Sequence, residues 1–572
     1  MKELRTGEIM TEQFIEWGID HIYGLPGDSI NEFIDDLRTK DDEIRFIQVR
    51  HEEVGALSAS AYAKLTGKIG ACLSITGPGA IHLLNGLYDA KQDGAPVLAI
   101  VGQVTSSMVG TDAFQEVNLE RVFDDVAVFN RRAESAKQLP DLLNKAIRSA
   151  YTENGVSVLI VPDDLFAVKH KKDEFITAPT YIKPQYEPDQ ESVLETVDLI
   201  NQAEKPIILA GRGARESRKE LIDFAEKIKA PIVLSLLGKG TIPDYHELNL
   251  GQHGQIGTKP AYEAIMDTDL LLLIGTSFPY REYLPDKTKA IQIDLKSQKI
   301  GSLYPITAGL CGDVKKILPS LTLKVKENEN GSYLEKYQEK MKKWHINMIK
   351  EKKEAGNPIQ APQLMYALEQ EVENDAVISC DVGNVTVWTT RFFPFTNQQF
   401  IISGRLASMG IGLPGAIAGQ IANPNKQVVA ICGDGGFSMV MHDFVTAVKY
   451  DLPIKVIILN NSHLAMIKYE QQEMGKLNYK TGLGEMDFAK FAESCGGEGY
   501  HIEKSEDLSS NIQKALQSDR PAVIDIAIED MAPLPGKIHF DQAVKYSEYL
   551  LKEFFTNKKV EFPDIKKSLK RL

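Results

Sequence analysis

An acidic residue set among glycines follows an apolar stretch late in the chain. Residues 433–441 read GDGGFSMVM, directly after the apolar run VVAIC, so Asp434 ends a segment with the pattern of a buried strand. A carboxylate in such a place is costly unless it binds a cation. The glycines around it let the backbone approach a ligand closely. The stretch therefore predicts a site for a metal ion and a phosphate group.

A second apolar run supplies a matching polar residue. KVIILNN at 455–461 ends in Asn461, and 25 residues separate Gly435 from Asn461. In a parallel sheet both lie at the carboxyl ends of strands, where the ligands of open α/β sheets bind. A carboxylate, an amide oxygen and a nearby backbone carbonyl suit Mg²⁺, with diphosphate and water in the remaining positions. Because GDG alone is also an ordinary turn, the paired spacing carries this prediction.

Alternating strand-length and helix-length segments position these residues. Short apolar runs such as IGACLSI and PVLAIVG are each followed by a glycine-rich turn and a helical pattern, which predicts repeated βαβ units on parallel sheets. Polar stretches at 169–190 and 324–332 interrupt the pattern and have the composition of linkers. The fold class is therefore α/β, with three doubly wound parallel-sheet domains over about 1–180, 190–325 and 360–530, followed by a helical tail over 536–572.

Composition excludes several classes of function. The net charge of −14 argues against nucleic acid, because a protein that binds phosphate backbones needs a basic face. No apolar run approaches the roughly 18 residues that span a bilayer, and the first residues, MKELRTGEIM, are too polar for a secretory signal. The five cysteines lack metal-ligand spacing, which fits a reducing cytoplasm.

The end of the chain differs from the rest. FDQAVKYSEYLLKEFF at 540–555 places apolar residues at helical spacing, and residues 557–572 contain six basic and two acidic side chains. A basic amphipathic end can lie on a membrane surface. The alternative is a terminal helix that docks on its own protein with a solvated charged face, and both interpretations stay open.

Together these motifs resemble the thiamine diphosphate-dependent enzymes, in the branch that contains pyruvate oxidases and acetolactate synthases. The GDG and NN pair matches the diphosphate and metal motif of the family. Further matches are YGLPGDS at 23–29, RHEEVGALSASAYAKLTG at 50–67, TGPGAIHLLNGLYDA at 76–90 and AFQE at 113–116. The resemblance spans nearly the whole chain. It implies a pyrimidine-binding first domain and a diphosphate- and metal-binding third domain, both with the thiamine diphosphate-binding fold, and a Rossmann-like flavin domain between them.

The resemblance assigns roles to residues of the thiamine site. It implies that Asp434, Asn461 and the backbone carbonyl of His463 bind Mg²⁺. Glu52 hydrogen-bonds the aminopyrimidine ring of the cofactor and promotes its imino tautomer, and Met409 is the apolar wedge that keeps the cofactor bent. Further implied cofactor contacts are Gly27, Ala407, Ser408, Gly435, Gly436, Ser462, Leu464, Ala465, Met466 and Ile467. Implied at the substrate end are Phe114, Gln115, Ile467 and Glu470.

The middle domain is expected to bind FAD by the same resemblance. Glycines after apolar strands can admit a pyrophosphate, although each such turn alone is a weak signal. The implied flavin contacts are Gly211, Arg212, Gly213, Gln252, His253, Gly254, Gln255, Gly275, Thr276, Ser277, Phe278, Pro279 and Asp294.

The segment after the metal motif favours oxidation. NNSHLAMIKYEQQEMG at 460–475 lacks the tryptophan that acetolactate synthases carry there, and it resembles pyruvate oxidases at Ile467 and Glu470. No adjacent His-His pair, expected of a pyruvate decarboxylase, occurs in the chain. The resemblance implies oxidative decarboxylation of pyruvate to acetate and carbon dioxide through hydroxyethyl-thiamine diphosphate, with electrons passing through FAD to a membrane quinone.

Three alternatives remain at this stage. One is a phosphate-dependent pyruvate oxidase that makes acetyl phosphate with oxygen as acceptor, another is an acetolactate synthase with a structural FAD, and the third is a scaffold that has lost its chemistry. Of the two oxidase types, the chain looks more like the quinone-dependent, lipid-activated pyruvate dehydrogenase of bacteria. It departs from that enzyme at Met466, where the enzyme has a phenylalanine at a position associated with movement into the site on activation. Because the family builds each site from two subunits, a homo-oligomer, expected to be a tetramer, is implied. The expected location is the cytoplasm, peripherally on the inner face of the cell membrane.

Overall fold

A computed structural model describes residues 3–171, 179–183 and 186–532, together with 545, 546, 548–550, 552 and 553. The predicted tail therefore lies mostly outside the described residues. Among the described residues, no helix is both long and apolar enough to cross a lipid bilayer.

The first domain is built on a six-stranded parallel sheet in the order β3-β2-β4-β5-β7-β6, and β1 pairs antiparallel with β8. Its strands are β1 (Glu3–Arg5), β2 (His21–Gly24), β3 (Arg45–Gln48), β4 (Gly70–Ser74), β5 (Val97–Gln103), β6 (Ala127–Arg132), β7 (Val156–Pro162) and β8 (Lys169–Lys171). Its helices are α1 (Thr6–Glu16), α2 (Asn31–Arg38), α3 (Glu52–Thr66), α4 (Pro78–His82), α5 (Leu84–Asp93), α6 (Leu119–Val122) and α7 (Leu139–Glu153).

The central domain has a second six-stranded parallel sheet, in the order β11-β10-β9-β12-β13-β14. Its strands are β9 (Pro206–Ala210), β10 (Ile232–Leu234), β11 (Asn249–Gln252), β12 (Leu270–Ile274), β13 (Lys289–Asp294) and β14 (Ala308–Cys311). Its helices are α8 (Gln190–Gln202), α9 (Arg218–Lys227), α10 (Lys259–Asp267) and α11 (Val314–Lys324), and the long α12 (Ser332–Lys353) leads to the next domain.

The third domain has the sheet order β16-β15-β17-β18-β20-β19, again parallel throughout. Its strands are β15 (Val377–Cys380), β16 (Gln399–Ile401), β17 (Val428–Gly433), β18 (Lys455–Asn460), β19 (Glu498–Ile502) and β20 (Ala522–Ala527). Its helices are α13 (Ala361–Glu371), α14 (Asn384–Phe392), α15 (Gly412–Ala422), α16 (Asp434–Val440), α17 (Phe444–Lys449), α18 (Ala465–Glu473), α19 (Phe488–Ser494) and α20 (Ser505–Leu516). The predicted fold class, three parallel-sheet α/β domains, is confirmed.

Two apolar helices join the first and third domains. Small residues cover α3 and α15 on most sides, and both helices are buried over most of their length. They pack against each other, the Ser58 hydroxyl donates to the backbone carbonyl of Pro414, and one apolar core runs through both domains. Since α3 begins at Glu52, this packing fixes the position of the predicted catalytic glutamate.

Asp93 is a junction of all three domains. Its carboxylate accepts hydrogen bonds from the backbone amides of Gly404 and Arg405, both at 3.0 Å, and pairs with Lys64 at 2.6 Å. Its backbone carbonyl accepts from the guanidinium of Arg212 in the central domain. One residue at the end of α5 therefore contacts a loop of the third domain and a loop of the central domain.

Candidate functional site

The predicted metal ligands lie at the carboxyl edge of the third sheet. Asp434 opens α16 directly after β17. In the parallel register Gly433 lies opposite Leu459 of β18, so Asn461, which follows β18, lies at the same sheet edge as Asp434. Burial raises the pKa of Asp434 to about 6, although backbone amides, including that of Asn461, act in the opposite direction. A buried carboxylate whose charge is this poorly compensated fits a divalent cation.

The loop after β18 is held in one shape. Ser462 has a left-handed backbone conformation (φ 56°), and the backbone amide of His463 donates to Asn461 Oδ1 at 3.1 Å. The amides of Leu464 and Leu483 donate to the carbonyls of Thr481 and Ser462, each at 2.8 Å. A non-glycine residue at positive φ costs free energy that surrounding contacts must offset. The loop is thus preorganised for its predicted role in metal binding.

Three predicted cofactor residues meet at Gly435. A Cβ on Gly435 would lie 3.0 Å from Leu464 Cδ2 and 3.3 Å from Met409 Cε. The glycine, the leucine and the methionine thus form one surface, although they are spread over 56 positions of the chain. The residues fit a cofactor that needs close backbone approach at its diphosphate end and an apolar contact beside it.

Asp381 is a buried residue of this site that the sequence analysis missed. It follows β15, and its Oδ1 accepts from the backbone amides of Val382 at 2.7 Å and Gly410 at 2.8 Å. Its other oxygen faces Gly436, where a Cβ would lie 2.6 Å away. Asp381 therefore connects the loop that carries Met409 with the glycine-rich turn.

Asn460 is a second missed residue. Its Nδ2 donates to Oδ1 of the buried Asp525 at 2.9 Å, and its Oδ1 accepts from the backbone amide of Ser462 at 3.2 Å. The first asparagine of the NN pair thus anchors the metal loop to β20. The doubled asparagine was a visible signal for it, whereas Asp381 had none because its contacts are long range.

Glu52 is buried at the N-terminus of α3, where the helix dipole favours a carboxylate. Its Oε2 lies 2.9 Å from His82 Nδ1, and a Cβ on Gly79 would lie 2.8 Å from Oε1. The ring of His82 stacks on His51 at 4.3 Å between centroids, and burial lowers the pKa of His51. His82, also missed from sequence, holds the glutamate in one orientation.

The neighbouring Glu53 bonds Asn85 of α5, which in turn contacts the third domain. Its Oε1 accepts from Asn85 Nδ2 at 2.6 Å, and the same Nδ2 donates to Ser408 Oγ at 2.8 Å. Ala407, directly before Ser408, has a left-handed φ of 56°. The loop of predicted cofactor contacts is thus attached to the first domain of its own chain.

Three of the four predicted substrate-end residues are exposed in the single chain, and Gln115 is partly buried. Phe114 is 86% exposed, and Gln115 has a left-handed φ of 63°. Ile467 is 47% exposed, and Glu470, three residues further along α18, is exposed as well. Ala465 at the start of α18 is buried, and Met466 is partly buried. Gly27, by contrast, packs tightly in the first domain, where a Cβ would lie 2.3 Å from Ile75 Cγ2.

The predicted flavin glycines have a structural reason of their own. A Cβ on Gly211 would lie 2.5 Å from the Gly275 carbonyl oxygen, and one on Gly213 would lie 2.8 Å from Gly275 Cα. The amide of Gly213 donates to the Gly275 carbonyl at 3.0 Å. Close approach of the turns after β9 and β12 therefore requires these glycines without any ligand. Arg212, one of the implied flavin contacts, donates to the carbonyls of Asp93 and Gly94.

Other predicted flavin residues gather around His253. Its Nε2 lies 2.7 Å from the Tyr283 carbonyl oxygen, and burial lowers its pKa to about 4. The ring of Phe278 lies 5.3 Å away, and a Cβ on Gly254 would lie 3.4 Å from Phe278 Cζ. Gln252 is buried, whereas Gln255 and Pro279 are exposed.

The loop after β12 also contacts the third domain. Ser277 accepts from Arg405 Nη1 at 3.3 Å, and its neighbour Thr276 is buried. Asp294, at the end of β13, accepts from the Lys296 amide at 2.9 Å, and burial raises its pKa. The predicted flavin segments thus share one edge of the central sheet and include apolar and polar side chains suited to a bound ring system.

Comparison with known protein families identifies all three domains. Residues 4–122, 193–321 and 381–526 match the models for the N-terminal TPP binding domain, the central domain and the C-terminal TPP binding domain of thiamine pyrophosphate enzymes. These matches cover more than half of the chain, and they include Glu52, Asp434 and Asn461.

Individual relatives cover nearly the full length. A Bacillus subtilis (strain 168) protein named YdaP, described as thiamine pyrophosphate-containing, is 55% identical over 100% of both chains. The pyruvate oxidase of Lactiplantibacillus plantarum is 36% identical over 92% of this chain and 89% of its own. The acetolactate synthase large subunit of Corynebacterium glutamicum is 31% identical over 90% of this chain and 86% of its own.

These findings confirm the family inferred from the motifs. Family models and relatives both support an enzyme with decarboxylase-type activity that uses thiamine pyrophosphate, and Mg²⁺ is typical of such enzymes. The chain therefore belongs to the thiamine pyrophosphate-dependent pyruvate oxidase family.

Proposed function

We propose that this protein oxidatively decarboxylates pyruvate to acetate and carbon dioxide and passes the electrons through FAD to a membrane quinone. The observation that carries the proposal is the cluster of Asp434, Asn461 and the surface at Gly435 on one sheet edge, in a chain 36% identical to a pyruvate oxidase. When bound, thiamine diphosphate supplies the electron sink for decarboxylation and FAD carries the electrons.

The chain's own residues have separate tasks in this proposal. Asp434 and Asn461, with the carbonyl of His463, would hold Mg²⁺, while Leu464 and Met409 exclude water beside it. Glu52, held by His82, holds and moves a proton at its carboxylate. The substrate end would be formed by Phe114, Gln115, Ile467 and Glu470.

A homo-oligomer, a tetramer in our proposal, is part of this function. Exposed apolar side chains lie near the predicted substrate residues, and the strongest case is Phe114, at 86% exposure. Met474 and Tyr479 beyond α18 are also exposed. Such side chains are costly in water unless another surface covers them, which supports assembly of the site from two copies of the chain.

The tail is the proposed contact with a lipid surface. Its described residues rest on α18 and the turn after it: Tyr549 is buried, its hydroxyl accepts from Gln472 Nε2 at 3.4 Å, and Lys552 donates to the Gly475 carbonyl at 2.7 Å. The basic stretch 557–572 lies outside the described residues. We infer a protein of the cytoplasm that associates peripherally with the cell membrane.

Anaerobic stopped-flow absorbance tests the reaction. The purified protein is mixed with pyruvate, thiamine diphosphate and Mg²⁺ while flavin absorbance is followed, and a second mix adds either a soluble quinone or oxygen with phosphate. Rapid bleaching followed by reoxidation with quinone alone is expected. Reoxidation by oxygen with formation of acetyl phosphate would instead identify a phosphate-dependent oxidase. Consumption of pyruvate without bleaching would favour acetolactate synthesis, which the relative at 31% identity makes the second candidate.

A further inference from the structure

A cleft that opens to solvent lies where the central domain, α12 and α14 meet. The central domain contributes residues around β11, α12 contributes one face between Met341 and Lys352, and α14 contributes its last turn. None of the predicted metal ligands lines it. The cleft is therefore separate from the metal and diphosphate site.

Two buried lysines and one partly buried arginine line this cleft. Lys239 is 3% exposed, pairs with Asp244 and donates to the Thr390 carbonyl at 2.7 Å. Lys352 is 4% exposed and pairs with Glu369 at 2.6 Å. Arg391 donates to the carbonyls of Ile256 and Gly257 at 3.1 and 3.2 Å. Of the described residues that line the cleft, Asp244 is the one acid.

For two of these cations, the effect of burial on the pKa exceeds the attraction of the nearby acid. Burial holds the pKa of Lys352 below its ordinary value although Glu369 acts in the opposite direction. Burial also lowers the pKa of Arg391 to about 10, against the attraction of Glu351. A buried cation is stabilised by an anion that enters its surroundings, because the attraction is strong in a medium of low dielectric constant. The geometry of the cleft allows such an anion to enter from solvent.

A neutral donor and an apolar wall complete the cleft. Gln252 is 4% exposed, and its Nε2 has no hydrogen-bond partner in the part of the chain that the structure describes. Such a donor costs free energy when it is left unpaired. Met341, Trp344 and Met348 line the opposite side and recur at helical spacing on α12. The cleft thus combines donors at one side with an apolar surface at the other.

We propose that this cleft binds a small organic anion, with a carboxylate or phosphate group at Lys352, Arg391 and Gln252 and an apolar body against α12. Lys239 is more fully occupied, by Asp244 and a backbone carbonyl, and acts as a background charge. The ligand bridges the central domain and the third domain. The site shares no metal ligand with the proposed reaction, and Gln252 is the one lining residue that it has in common with the implied flavin contacts.

Calorimetric titration tests the proposal on protein saturated with thiamine diphosphate, Mg²⁺ and FAD, so that anions cannot enter an empty diphosphate or flavin site. The probes are benzoate and phenyl phosphate, which carry the two head groups on the same apolar body. Inorganic phosphate and chloride at equal ionic strength are the controls. We expect saturable binding of one organic anion, with inorganic phosphate at least about tenfold weaker because it lacks the apolar contact.

Two variants locate the site. Gln252→Leu removes the neutral donor at similar volume, and Lys352→Met removes a charge; each should weaken binding at least about tenfold. Lys455→Met is the matched control, because Lys455 is equally buried, bonds only the carbonyls of Pro453 and Arg520 among its described partners, and does not line the cleft.

Each result of these titrations either supports or overturns the proposal. Loss of binding in Gln252→Leu at unchanged FAD content, with full binding in Lys455→Met, supports the proposal, and this holds even if Lys352→Met does not fold. No saturable binding of either organic anion to the parent protein overturns it. Unchanged binding in Gln252→Leu and Lys352→Met also overturns it, because the anion then binds elsewhere. Equal affinity for inorganic phosphate and phenyl phosphate overturns the apolar half of the assignment.

Discussion

At the scale of single residues, the buried carboxylate of Asp434 lowers the stability of the protein without ligands, although it suits a bound cation. Burial raises its pKa from 3.8 to about 6. The folded protein therefore holds this proton more tightly than the unfolded chain does, and the free energy of unfolding falls as pH rises between these two values. Above pH 6 the full free-energy cost of burying the charged carboxylate remains until a cation binds. The metal thus restores stability that the unliganded site lacks.

Replacement of Asp434 by Asn tests this opposition. Without metal and cofactor, Asp434→Asn should be more stable than the parent at pH 7.5, by up to about 3 kcal/mol, and by much less at pH 4.5. Urea unfolding at both pH values measures the difference. In the presence of Mg²⁺ and thiamine diphosphate, only the parent should gain stability. A stability difference that does not change with pH would contradict the argument.

Glu52 and Glu53 provide a matched pair of adjacent glutamates. Glu52 is held by His82, whereas Glu53 bonds Asn85. Glu52→Gln should lower kcat by at least about 100-fold, because the amide cannot accept and return a proton. Glu53→Gln should change kcat by less than about tenfold. Steady-state rates with a soluble electron acceptor measure kcat of both variants. Near-normal turnover in Glu52→Gln would refute the assigned role.

At the scale of elements, Asp381 connects the loop that carries Met409 to the turn before α16. Its replacement by Ala removes the acceptor for the amides of Val382 and Gly410. We expect Asp381→Ala to weaken thiamine diphosphate binding at least about tenfold in the presence of Mg²⁺, as measured by quenching of intrinsic fluorescence.

Asp36→Ala is the control for this prediction. Asp36 is an equally buried carboxylate of the first domain, paired with Arg5 far along the chain from both loops. Its removal should lower stability but leave cofactor affinity within about twofold. Equal loss of affinity in both variants would mean that Asp381 acts through general stability alone.

The alternating pattern of strands and helices and part of the candidate site were predictable from sequence. The alternation of apolar runs with helical patterns predicted parallel sheets, and the GDG and NN motifs placed Asp434 and Asn461 at the carboxyl ends of strands. Asp381 and His82 were not predictable, because their roles depend on contacts between distant segments, whereas the doubled asparagine was a signal for Asn460. The flavin glycines show the converse: their pattern is visible in sequence, but backbone packing between β9 and β12 already explains it.

At the scale of the whole molecule, we expect the tail to be needed for lipid-stimulated quinone reduction but not for reduction of a soluble dye. Residues 556–572 lie outside the described residues. Before this stretch, Tyr549 and Lys552 attach the chain to α18 and the turn after it. Cutting the chain after Phe555 should lower liposome binding and lipid-stimulated quinone reduction but spare reduction of a soluble dye. Flotation with anionic vesicles and parallel assays measure both. Equal vesicle binding by cut and full-length proteins would assign the tail a purely structural role.

The junction at Asp93 has a consequence for cooperativity. Chains with several domains commonly unfold in steps, because each core melts independently. Here the loss of any domain removes a partner of Asp93, and the first and third domains share one apolar core. Scanning calorimetry should therefore show one transition whose calorimetric enthalpy equals its van't Hoff enthalpy. Resolved peaks for separate domains would show that the junction transmits too little energy to couple them.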